Sequence, residues 1–136
     1  MKRFSTSFLI LNLLAAGTAT ARDTVKWQHV HDNEDFSLSI DPTSIEKEAD
    51  KMVTATVKVV NNEIQEGGMR IDHLLIRTRF DCKVEGRFQF LATTVVSDGE
   101  NGGYDEPTRS DWKTYGPERS EAIVGKTVCA IAQRRR

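Results

Sequence analysis

Three stretches of this chain alternate apolar and polar residues with a period of two, and one later stretch repeats with the period of a helix. Met52–Val60 sets Val53, Ala55, Val57 and Val59 against Thr54, Thr56 and Lys58. Arg70–Cys82 sets Leu74, Ile76, Thr78, Phe80 and Cys82 against Arg77, Arg79 and Asp81. Arg87–Ser97 sets Phe88, Phe90, Ala92, Thr94 and Val96 against Arg87, Gln89 and Thr93. Successive side chains of a strand point to opposite faces, so each run reads as a strand with one buried and one wet side. Neighbouring strands of that kind form an antiparallel sheet. Thr24–Val30 reads as a first strand, and Phe36, Leu38 and Ile40 alternate with Ser37, Ser39 and Asp41 in a second. Pro42 ends that run, because proline has no N–H to give to a ladder. Ile45-Glu46-Lys47 adds a short strand before a turn at Glu48-Ala49-Asp50. The Gly-bearing segments Asn61–Gly68 and Asp98–Arg109 read as loops.

After Gly116-Pro117 the period changes to 3.6. Pro117 suits a first helical turn, and Glu118 and Glu121 suit its positive end. Ala122, Val124, Gly125, Val128, Cys129, Ile131 and Ala132 gather on one half of the helical wheel, with Glu121 and Ile123 as misfits. Arg134-Arg135-Arg136 suits the negative C-terminal end, or frays as a terminus. The expected fold is therefore α+β, an antiparallel β-sheet of about five or six strands with one C-terminal α-helix packed on one face. The chain has two cysteines. Cys82 on a strand and Cys129 on the helix face the core by independent periodicities, an agreement that favours a disulfide tethering helix to sheet. Closing that loop stabilises a chain by roughly 4 kcal/mol. A catalytic thiol is the competing reading, although neither cysteine sits in a Cys-x-x-Cys pair or beside a histidine.

The N-terminus carries Met1-Lys2-Arg3, an apolar run from Phe8 to Ala16, and then Gly17-Thr18-Ala19-Thr20-Ala21. Basic head, short apolar core and Ala-x-Ala in that order read as a signal peptide over residues 1–21, followed by a single domain over residues 22–136. No cysteine stands at the cleavage site, so the expected product is exported without a lipid anchor, to the periplasm, the cell surface or the medium. An oxidising compartment supports the disulfide reading. With 19 Lys+Arg against 20 Asp+Glu the formal charge is −1. Nucleic acid is not expected as a partner, since phosphate binding needs a basic excess. No run approaches the ~20 apolar residues of a membrane-spanning helix.

Catalytic and metal patterns are weak. Gly125-Lys126-Thr127 ends like a phosphate loop, but Ser120 stands where that pattern needs its first glycine. No Gly-x-Ser-x-Gly elbow occurs. His29 and His31 would share one side of an extended strand, yet His73 is the only other histidine and a closed metal site needs about four ligands. Asp98-Gly99-Glu100-Asn101-Gly102-Gly103 has acids at calcium-like spacing but a glycine at its fifth position. Neither a catalytic residue, a metal site nor a cofactor is expected. Arg77, Arg79 and Arg87 are the candidate partner-binding residues, a basic stripe on the open sheet face able to dock an acidic partner. The other reading is a solvated stripe cross-paired with residues such as Asp81 and Glu85.

The order of landmarks resembles a known family. Trp27-x-x-Val30 is followed by Asp41-x-x-Ser44-Ile45, a valine-rich strand, Phe80-Asp81-Cys82, Trp112, a helix start at Pro117, Ser120 and Glu121, and a closing Cys129. This is similar to the bacterial surface-adhesin E family of small exported domains. The resemblance implies an antiparallel sheet with a disulfide-tethered C-terminal helix, and a binding role without catalysis. It further implies host matrix or plasma proteins such as laminin, vitronectin and plasminogen as partners. A periplasmic structural or assembly component, docking with a cell-envelope protein, is the alternative.

Overall fold

The computed structural model describes residues 24–61, 65–66, 69–97, 100–106 and 109–135, so the segment read as a signal peptide lies outside it. The strands are β1 (Gln28–Asp32), β2 (Phe36–Ile40), β3 (Glu46–Lys47), β4 (Met52–Asn61), β5 (Gln65–Glu66), β6 (Met69–Asp81), β7 (Arg87–Ser97), β8 (Glu100–Glu106) and β9 (Lys113–Thr114), followed by helix α1 (Ser120–Arg134). All strand pairs are antiparallel. Six strands form the curled main path β1-β2-β4-β6-β7-β8, and the three two-residue strands attach to β4, β6 and β7. The helix lies across the concave face, touching β1, β2, β4, β6 and β7. The chain thus has the expected α+β architecture.

Two edges of the sheet are each shared by two strands, and a serine bridges each gap. β2 pairs with Val57–Asn61 of β4, while β3 pairs with Val53 and Thr54. Between them the chain leaves the ladder through a 3₁₀ turn at Pro42–Ser44, where Asp41 Oδ1 accepts the Thr43 N–H and the Asp41 carbonyl accepts the Ser44 N–H. The Thr56 N–H left over donates to Ser44 Oγ at 2.8 Å. On the far side β7 pairs with β8 through Thr93–Ser97 and with β9 through Arg87 and Phe88. There the Phe90 N–H donates to Ser110 Oγ at 2.9 Å, and Ser110 N–H returns a bond to the Phe90 carbonyl. A partly buried backbone donor needs a partner. A hydroxyl supplies it where the strand is interrupted.

The core lies between the concave face and α1. Leu38, Ile40, Val53, Ala55, Val57, Phe80 and Phe88 meet Ala122, Val124, Val128 and Ala132 of the helix. Gly125 lets the helix approach Phe80, since a Cβ there would stand 2.9 Å from the ring. The Cys82–Cys129 disulfide joins strand to helix, with Cα atoms 5.7 Å apart, and Lys47 Nζ donates to the Arg135 carbonyl near the helix end.

Several local expectations need correction. Residues 100–106, read as loop, form β8. Val95 opposes Tyr104 and Val96 opposes Asn101, so Gly102 and Gly103 are extra residues bulged out of the ladder. A long β7 edge supplies the hydrogen bonds that the glycine-rich composition argued against. Gln65–Glu66, also read as loop, pair back onto β6. Within β7 the alternation fails at Leu91, because Arg77 opposes Ala92 while Thr78 opposes Phe90. Directly opposed residues share a face, so Ala92 and Thr94 join the arginine side. β1 starts at Gln28 instead of Thr24, and α1 starts at Ser120. Pro117 sits in the preceding turn, closed by Arg119 N–H to the Gly116 carbonyl.

Candidate functional site: a paired arginine face and an apolar cleft

β6 and β7 place the three candidate arginines together on the convex face, and each holds a carboxylate of the same chain. β4 lies between β6 and β3, and its small Thr54 opens a path across. Arg77 Nη2 reaches Glu46 Oε2 at 3.0 Å and Thr54 Oγ1 at 3.2 Å. Arg79 Nη2 donates to Glu48 Oε1 at 3.2 Å, and its Nη1 donates to Gln89 Oε1 at 3.2 Å. Arg79 Nε stands 2.9 Å from Glu48 Oε2, close enough for the charges to attract but off the N–H line, so this buried atom makes no hydrogen bond. Lys83 Nζ pairs with Asp50 at 2.8 Å. The Asp50 contact outweighs the cost of desolvation and, with Asp81, holds the Lys83 ammonium above its ordinary pKa. Glu46, Glu48 and Asp50 alternate along one segment, so they meet Arg77, Arg79 and Lys83 as three rungs.

The fourth pair is the most buried. Arg87 Nη1 donates to Asp81 Oδ2 at 2.8 Å, and the Asp81 side chain is 1% exposed. Burial works against the charged carboxylate. The Lys83 backbone N–H, at 2.9 Å from Oδ1, and the Arg87 guanidinium overcome it and hold the Asp81 pKa below its ordinary value. The same guanidinium lies over the Trp112 ring, 4.4 Å from its centroid. Asp81 is a cross-pair that the sequence leads one to expect; Glu46, Glu48 and Asp50 are not, because their pairing depends on how β3 and the turn after it fold back beside β4.

The histidines are kept apart. His29 opposes Ser39 and His31 opposes Leu38, with Val30 bulged between them. The two therefore fall on opposite faces of the sheet instead of sharing one. His29 Nε2 lies 3.0 Å from Asp32 Oδ2. His73, on β6, is held below its ordinary pKa first by burial and then by Lys58, against the pull of Asp72. Among the described residues no three His, Cys, Asp or Glu side chains gather around a common point for a metal.

The concave side holds a feature not expected from the sequence, a cleft of about 210 Å³, partly open to solvent, between the sheet and the first turns of α1. Phe36, Leu38, Val57 and Val59 form one wall, and Ile76, Phe80, Phe88 and Phe90 form the other. Val124 closes it from the helix, and Glu121 is the one charged side chain in its lining. The available signal was the misfit of Glu121 on the apolar half of the helical wheel.

The fold and these surfaces define a small disulfide-tethered α+β domain, with a mixed-charge convex face and an apolar concave one. The family model for surface-adhesin protein E matches residues 27–130, and the chain belongs to that family. Neither the curated proteins nor the solved structures contain a match to this chain. No helix among the described residues is long and apolar enough to cross a membrane.

Proposed function

We propose that this protein is exported and acts as a surface-adhesin-like domain, binding a protein partner instead of catalysing a reaction. The observation that carries the reading is the family match over residues 27–130. The basic head, apolar run and Ala-x-Ala of residues 1–21 support export, and a disulfide suits an oxidising destination. Host matrix or plasma proteins are the proposed partners, met at the cell surface or beyond it, whereas a periplasmic destination suits a cell-envelope partner.

The convex face is the proposed contact surface, with Arg77, Arg79 and Arg87 as its cations. Arg77 and Arg87 remain about a third exposed beside their carboxylates. A partner acid therefore competes with Glu46 or Asp81 for a guanidinium, which predicts modest, salt-sensitive binding. The test is parallel affinity capture on the purified, disulfide-bonded protein, from host plasma and matrix extract and from bacterial envelope extract. Saturable retention of host proteins, weakened by salt and by Arg77→Glu, is the expected result. Retention of envelope proteins alone overturns it in favour of an assembly role.

A further inference from the structure

The apolar cleft has a feature that core packing does not account for. Its inner residues belong to the core, but Phe36, Val59 and Phe90 at its margin are only partly buried. Apolar surface left in contact with water is costly, so a group that covers it gains binding free energy. Into this wall projects Glu121, half-buried, with neither a hydrogen bond nor an ion pair to any described residue. The helix macrodipole favours an acid in the first turn, but it is indifferent to which side of the helix that acid occupies. Arg119, two residues earlier, stacks on Tyr115 at 4.6 Å. The cleft, at about 210 Å³, exceeds the ~150 Å³ apolar cavity that takes up benzene.

We propose that this cleft binds a small cationic amphiphile, an alkyl or aryl amine whose apolar end covers Phe36, Val59 and Phe90 while its ammonium pairs with the Glu121 carboxylate. Lys113 Nζ stands over the Phe90 ring at 5.7 Å but outside the lining of the cleft, so Glu121 is the charge an occupant meets within it, and an apolar acid of the same length carries the wrong charge for that contact. The site lies on the opposite face of the sheet from Arg77, Arg79 and Arg87 and stands independently of the protein-binding reading.

The test is a titration of the full, disulfide-bonded protein with octylammonium and with octanoate, followed by methyl NMR of the valines and isoleucines. Saturable shifts at Val57, Val59, Ile76 and Val124 with octylammonium, and at least tenfold weaker binding of octanoate, are expected. Glu121→Gln, a conservative change at a half-exposed position, is expected to remove that preference. Val59→Phe, which narrows the mouth, is expected to weaken both ligands while the methyl spectrum stays dispersed. Equal binding of the two ligands, no saturable shift with octylammonium, or a preference that survives Glu121→Gln overturns the proposal.

Discussion

Among the described residues, Arg87 and Asp81 form the one ion pair of the convex face in which the carboxylate is sealed from solvent, at 2.8 Å and with the guanidinium over the Trp112 ring. Asp81 also accepts the Lys83 N–H, so its charge is fixed from two sides. Removing that charge leaves Arg87 without its partner. Asp81→Asn is expected to cost about 2 kcal/mol, in line with hydrogen bonds to charged groups, read from urea unfolding at neutral pH.

The same pair gives the pH dependence its sign. A carboxyl whose folded pKa is depressed binds fewer protons in the native state than in the unfolded one. Its stabilisation is present above the ordinary carboxyl pKa of about 4 and is lost as pH falls through the lower folded value. Stability is expected to decline below pH about 4 more steeply in the natural protein than in Asp81→Asn. Parallel slopes in an acid titration of unfolding contradict this.

The Cys82–Cys129 bridge fixes α1 to the end of β6. Replacing both cysteines by serine is expected to lower stability by about 2–5 kcal/mol, the usual cost of losing a native disulfide. Mass spectrometry of the unreduced protein checks the bond itself, since two free thiols would contradict it.

Ser44 and Ser110 each satisfy a backbone donor at a strand gap. Alanine at either position strands the Thr56 or Phe90 N–H, at an expected cost of about 1–2 kcal/mol each. The gaps lie on opposite sides of the sheet with no shared partner, so the double variant is expected to be additive. Amide exchange at Thr56 and Phe90 should quicken correspondingly.

Asp50 and Lys51 both adopt left-handed backbone, with φ of 64° and 58°. The Lys51 carbonyl accepts the Cys82 N–H and Asp50 pairs with Lys83, which holds the turn in place. A non-glycine residue there is strained by roughly 1–2 kcal/mol, and the freer unfolded state of glycine returns about 0.4–1 kcal/mol of any relief. Lys51→Gly is therefore expected to stabilise the protein slightly, by about 0.5–1 kcal/mol, in the same urea assay.

The fold was legible where the pattern was local. Val53–Val59 and Leu74–Phe80 alternate because one side of each strand is buried, and Val124 and Val128 repeat at helical spacing because α1 buries one stripe. Positions decided by distant chain were not legible. Leu91 is bulged to keep β7 in register with β6, and no property of leucine announces that. Gly102 and Gly103 look like loop until a long neighbouring edge is available to pair with their flanks. The candidate arginines were identifiable as a group from their strand faces, but their partners Glu46 and Glu48 lie across an intervening strand. Glu121 was visible only as an exception to a helical pattern, since a cleft forms only when sheet and helix come together.

The proposed activity is binding of a partner protein through a folded, disulfide-tethered surface. It is tested most directly by titrating immobilised laminin, vitronectin and plasminogen with the purified protein, beside a reduced and unfolded control. Saturable binding to at least one of them by the folded protein, lost in the control and weakened by Arg77→Glu, is the predicted result. Absence of saturable binding to all three, or equal binding by the unfolded control, rules this mode of binding out.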